Sequence, residues 1–137
     1  MKKYLSSDEN GIPIVVTYHQ SGFVDSELLT DEPELIQTVT KIWISWCCIP
    51  AKSKNSNANS YALKHCFERM TGIYLTNNQF KQAMLLCSLY PDCPYSKLNW
   101  DYSLSRKSLC FRSHKHTKYR YLISKMIINK IAKEENR

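Results

Sequence analysis

The stretch from Asn59 to Lys81 constrains this chain more than any other. Leu63, Cys66, Phe67 and Met70 recur at three- and four-residue intervals, which is the buried stripe of an amphipathic helix. Asn59 or Ser60 caps its start, and Gly72 after Thr71 is a natural stop because glycine enters the left-handed conformation at little cost. Ile73-Tyr74-Leu75 then links to a second helix that begins at Thr76 or Asn77. There Phe80, Ala83, Met84 and Cys87 share one face, while Asn78, Lys81 and Gln82 share another. Beyond Gln82 the outer face turns apolar with Leu85 and Leu89, so only the first turn and a half is expected to meet solvent or a ligand. Two helices around a glycine break form a helix-turn-helix, whose second helix presents its first residues to base edges. Asn and Gln pair in bidentate fashion with adenine, and Lys reaches guanine or phosphate. Asn77, Asn78, Lys81 and Gln82 are therefore the expected readout residues. The plainer alternative is ordinary helix-start chemistry, since Thr and Asn cap helices whatever their function.

The flanking segments extend this unit. Asp31-Glu32-Pro33-Glu34 combines an N-cap aspartate with an early proline and a nearby glutamate, and opens a helix carrying Leu35, Val39, Ile42, Trp43 and Trp46 on one stripe. Pro50 to Asn59 has no apolar residue larger than alanine and reads as a solvated connector. In that first helix's partner, Lys64 and Glu68 stand four apart as an exposed pair, with Tyr61 and His65 on the same outer side. Downstream, Leu98, Trp100, Tyr102 and Leu104 alternate with polar residues, the period of a half-buried strand. Leu109-Cys110-Phe111-Arg112 is expected to return as its partner, making a wing that sets Arg106, Lys107 and Arg112 beside a phosphate backbone. At the amino end, Asn10-Gly11 marks a turn and Ile12 to Tyr18 an extended, β-rich arm that Pro13 confines to an edge. Thr117 to Glu134 reads as a basic amphipathic helix with Lys118 at its start, and its broad apolar arc suits docking on the body or a homodimer. The expected fold is mostly α (α+β), a winged-helix-like helix-turn-helix core with a short β-hairpin and flanking amphipathic helices. It forms one domain, with an acidic arm over residues 1–30, a helical and winged core over 31–112 and a basic helix over 113–137.

Charge is spread unevenly along the 137 residues. Residues 1–40 carry two lysines against seven carboxylates, a balance of −5; residues 41–104 stand at +4, and residues 105–137 at +8, within a total of +7. A basic rear of this kind suits a polyanion, because each neutralised phosphate releases condensed counterions. Double-stranded DNA is the expected partner. No apolar run reaches the roughly twenty residues that span a bilayer, and Met1-Lys2-Lys3-Tyr4 is followed by polar residues, so neither a membrane nor an export route is expected and a cytoplasmic address is. Without such a route the six cysteines read as reduced thiols, several of them core residues. Their spacing lacks the two tight ligand pairs of a closed zinc site. Cys110 with His114 and His116 is the one pairing near histidine, and whether it holds a metal is left open; no cofactor is expected.

Enzyme signatures are missing from the sequence. It has no glycine-rich phosphate loop, no serine elbow and no His-Glu-x-x-His. His65 beside Cys66 fails as a dyad because helix neighbours point about 100° apart. Residues 60–104 resemble a loose set of small proteins from bacterial phages and integrative elements. The resemblance rests on Ser-Tyr-x-Leu-Lys-His at 60–65, Gly-x-Tyr-Leu-Thr-Asn at 72–77, Phe-x-x-Ala-Met at 80–84 and Asn-Trp-x-Tyr-x-Leu at 99–104. It implies a mobile-element setting and brings no activity with it. The expectation is a non-catalytic transcription or replication regulator; the alternative is a small inhibitor or adaptor that blocks a host nucleic-acid-binding defence complex.

Overall fold

The computed structural model describes residues 3–115 together with Lys125 and Asn129, and the last two are helical. Lys118, His116 and most of the expected terminal helix lie outside the described residues, as do the side chains of His114 and Lys115.

An α+β mix results, with three α-helices and three two-stranded antiparallel sheets among the described residues. Strand β1 (Leu5–Ser7) pairs with β2 (Pro13–Val15), and β3 (Thr17–Tyr18) pairs with β4 (Val24–Asp25). The residues expected to form one extended arm are thus two successive hairpins. Pro13 opens β2, a position where the missing N–H costs no ladder bond. The first hairpin turns through Asp8, whose Oδ1 accepts from the N–H groups of Asn10 and Ile12.

Helix α1 spans Glu34–Cys47 and is preceded by a 3-10 turn, Leu29–Asp31. Asp31 serves that turn, accepting from the Leu28 N–H, and Pro33 occupies the position before α1. Asp31 is therefore not the cap of α1. The buried face of α1 is Val39, Ile42, Trp43, Ile44 and Cys47, whereas Leu35 is exposed and Trp46 half-buried, so the contact face is rotated from the expected stripe.

Helix α2 spans Ser60–Thr71 and α3 spans Asn77–Leu86. Asn59 caps α2 by accepting from the Ala62 N–H, and Gly72 ends it at φ 77° with its N–H on the Glu68 carbonyl. Thr76 and Gln79 form a capping box at the start of α3. Leu63, Cys66, Phe67 and Met70 are buried as expected. Trp43, Phe67 and Phe80 meet at ring-centroid distances of 5.4 and 6.3 Å, which joins the three helices at one aromatic centre.

The expected wing is absent from the described residues. Strand β6 (Asp101–Tyr102) pairs with β5 (Ala58–Asn59), and Leu109–Lys115 forms a 3-10 segment in place of a return strand. The alternation itself is present: Trp100, Tyr102 and Leu104 are buried while Asn99, Asp101 and Ser103 are half-buried. The partner strand comes from the 50–59 connector because Asn57 offers an amide that both donates to the Leu104 carbonyl and accepts from its N–H, at 2.7 and 3.0 Å. A connector without large side chains still supplies backbone edges.

Candidate functional site: a covered helix, a basic edge and an aromatic cleft

The outer face of α3 is covered by its own chain. Asn78 is fully buried; its amide nitrogen donates to the carbonyls of Val15 and Glu27 at 2.9 and 2.7 Å, and its oxygen accepts from the Thr17 hydroxyl at 2.7 Å. Gln82, also fully buried, donates to the Pro13 carbonyl at 2.8 Å and accepts from the Thr30 N–H at 3.1 Å. Lys81 is 1% exposed, with Nζ donating to Thr17 Oγ1 at 3.0 Å and the Lys97 carbonyl at 3.2 Å, and lying 4.8 Å from the centre of the Trp100 ring. Burial pushes the Lys81 ammonium down to about 8, against the opposing influence of Cys93 and Asp25. Asn77 is half-buried and donates to the Leu98 carbonyl and Asn99 Oδ1.

Three of the four expected readout residues, Asn78, Lys81 and Gln82, are thus unavailable to base edges. The amide chemistry that suits a base edge suits a peptide edge equally, and the hairpins of residues 13–30 occupy it first.

The expected phosphate-holding residues fare differently. Arg106, Lys107 and Arg112 are exposed, although they project from a turn and a 3-10 segment instead of a wing. Their anchor is the seam with the 50–59 connector. The Ser105 N–H donates to the Ile49 carbonyl at 2.7 Å, the Ala51 N–H donates to the Ser103 carbonyl at 3.0 Å, and Pro50 bridges to Leu104. The seam runs antiparallel, Ile49 against Ser105 and Ala51 against Ser103, so Lys52 and Lys54 leave it at one end and Arg106 and Lys107 at the other. Lys54 is spent on Asp92 at 3.1 Å, while Ser103 and Lys54 together hold the Asp92 carboxyl below the usual carboxylate range. Among the described residues Lys52, Arg106, Lys107 and Arg112 make no ion pair.

A third feature escaped the sequence reading. A cleft of about 440 Å³ opens between the second arm hairpin, α2 and the start of α3, lined among others by Phe23, Asp25, Tyr61, Lys64, Tyr74 and Asn77. Lys64, expected on an exposed helix face, is only 5% exposed; Glu68 pairs instead with His65, at 3.5 Å. Lys64 Nζ lies 4.9 Å from the Tyr74 ring centre and 5.6 Å from that of Tyr61. The Tyr61–Lys64 spacing was the available clue, since residues three apart share a helix face. Tyr74, which closes the other side, belongs to the interhelical link and carried no such pattern.

Compared with known protein families, with curated proteins and with solved structures, the chain matches none.

Four of the six thiols, those of Cys47, Cys48, Cys66 and Cys110, are buried. Cys66 is 3% exposed and its thiol faces Met70 Sδ and the Cys110 carbonyl, whereas His65 stacks edge-on against Tyr61 with centroids 4.4 Å apart. The two side chains diverge as their helical spacing requires. Burial raises the Cys47 thiol far above its ordinary value, which keeps it protonated and unreactive. Among the described residues no three of His, Cys, Asp and Glu gather as metal ligands, and no helix is long and apolar enough to cross a membrane.

Proposed function

We propose that this chain is a non-catalytic nucleic-acid-binding protein of a mobile genetic element that holds phosphates along its basic edge. The observation that supports the reading is that Lys52, Arg106 and Lys107 are exposed and, among the described residues, paired with no carboxylate, on backbone that the seam between residues 49–57 and 103–105 fixes. Exposed, unpaired bases on a hydrogen-bonded loop pair give affinity that is electrostatic and tolerant of sequence. With Asn78, Lys81 and Gln82 covered, the helix-turn-helix supports this edge and does not read bases. The basic turn occupies the role that a wing has in a winged helix, and a regulator of transcription or replication would use it to grip double-stranded DNA.

Fluorescence anisotropy on a labelled duplex at rising salt tests the proposal. Binding at low salt is expected to weaken in Lys52→Ala, Arg106→Ala and Lys107→Ala, with the salt slope falling by about one per residue removed. Lys81→Ala is expected to show no sequence-selective loss. A protein without duplex affinity at low salt would end this reading.

A second reading draws on the opposite end of the chain. Glu9, Glu27, Asp31 and Glu34 are exposed, an acidic surface suited to occupying the basic groove of a host defence protein. Capture of one host protein from nuclease-treated lysate, lost when these four residues are changed to glutamine, would favour the inhibitor over the DNA binder.

A further inference from the structure

We infer that the cleft between Phe23, Tyr61 and Tyr74 is a binding site for one base-bearing nucleoside monophosphate unit, and that Lys64 is its phosphate contact. The inference stands apart from the basic edge, because none of Lys52, Arg106, Lys107 and Arg112 lines this cleft.

Lys64 is the starting point. Lys64 is 5% exposed as a residue, its stem covered by the rings of Tyr61 and Tyr74. Lys64 has only the two tyrosine rings, and among the described residues it makes neither an ion pair nor a hydrogen bond. Lys64 is part of the cleft lining, and its ammonium keeps hydrogen-bonding capacity for whatever enters. The cavity volume of about 440 Å³ lies within the range of small-molecule sites, about 300–1,000 Å³.

The remaining walls narrow the ligand. Phe23, Tyr61 and Tyr74 are 61%, 53% and 65% exposed, and Phe23 is backed by His19 at a centroid distance of 5.1 Å. Exposed rings around a cleft offer a platform for a flat π-system. Asp25 and Glu27 are also in the lining, neither in an ion pair among the described residues, and Asp25 Oδ1 accepts from the Glu27 N–H at 3.1 Å. Asn77 Oδ1 is an enclosed acceptor with no donor among the described residues. Acceptors among these residues call for N–H donors on the ligand, whereas Lys64 calls for one anion. A planar base bearing amino and imino hydrogens, with a single phosphate attached, meets both demands. The same carboxylates repel a second and third phosphate, so a monophosphate is favoured over a triphosphate.

The test is titration of the full chain with guanosine 5′-monophosphate, followed by calorimetry, beside guanosine, guanosine 5′-triphosphate and a short single strand carrying a 5′-phosphate. Saturable binding of the monophosphate is expected, with guanosine and the triphosphate each at least tenfold weaker. In Lys64→Met the advantage of monophosphate over guanosine is expected to vanish. Phe23→Ala, at an exposed site that leaves the core intact, is expected to weaken all base-bearing ligands alike. Tighter binding of the phosphorylated strand would assign the unit to a strand end, and tighter binding of the free nucleotide to a metabolite. No saturation by either, or a Lys64→Met protein that keeps the preference for phosphate, would overturn the inference. Loss of duplex binding by the basic edge would leave this result untouched, so the two proposals fail separately.

Discussion

Lys64 and Lys81 sit on adjacent helices, are both more than nine-tenths buried, and both place an ammonium against aromatic rings. They differ in what completes the shell. Lys81 donates to a hydroxyl and a carbonyl of its own chain, and through Thr17 it joins a relay that ends on Asn78 Oδ1. Lys64 has ring faces and an open cleft. A buried cation satisfied by its own chain is part of the architecture, and one left with spare donors facing a cavity is a place to look for a ligand. The same contrast separates the outer face of α3, where every expected readout amide has a peptide partner, from Lys52, Arg106 and Lys107, which make no ion pair among the described residues.

The sharpest test of that contrast is the relay. Asn78→Ala would leave the Val15 and Glu27 carbonyls and the Thr17 hydroxyl without their buried partner, and is expected to cost about 3 kcal/mol of unfolding free energy in a urea titration. A cost near zero would mean that the arm hairpins do not depend on α3. The next effect is smaller and has a pH signature. The folded chain releases the Lys81 proton near 8, while an unfolded lysine holds it to about 10.5, so the unfolded state binds more protons between those values and stability rises with pH across that window. Lys81→Met is expected to abolish the rise. A rise that persists in the variant would assign it to another group.

Tyr102→Phe should act in the opposite direction. The Tyr102 hydroxyl is buried with no hydrogen-bond partner among the described residues, so its removal is expected to stabilise the fold by about 1 kcal/mol. A loss of stability would reveal a partner for that oxygen. The smallest effect is expected at Lys64: Lys64→Met keeps the stem that packs between the tyrosines and should shift stability by less than about 1 kcal/mol. A cost as large as that at Asn78 would make Lys64 structural after all and dissolve the distinction between the two lysines.

Residues whose role depends on near neighbours were legible from the chain. Gly72, Thr76 and Asn59 took their expected positions at helix ends because capping is settled within three or four residues. The buried stripe of α2 followed its period, and so did the alternation of Trp100, Tyr102 and Leu104. Failures came where a second segment was needed. The strand at Asp101–Tyr102 has the periodicity of a hairpin arm, but period alone does not name a partner, and Asn57 made the connector the better one. Likewise Lys64 and Glu68 have a spacing that suits an exposed pair, yet Tyr74, arriving from beyond Gly72, covers the lysine.

By itself the sequence determined three amphipathic helices with the caps of α2 and α3, a polar first turn and a half on α3, and an acidic front before a basic rear. Each of these follows from local spacing or from counting. Only the tertiary structure decided which polar groups were already used. Hydrogen-bonding capacity is a property of a residue, but its availability depends on what packs against it, and segments more than fifty residues distant supplied the partners of Asn78 and Gln82 while leaving Lys64 with an open cleft.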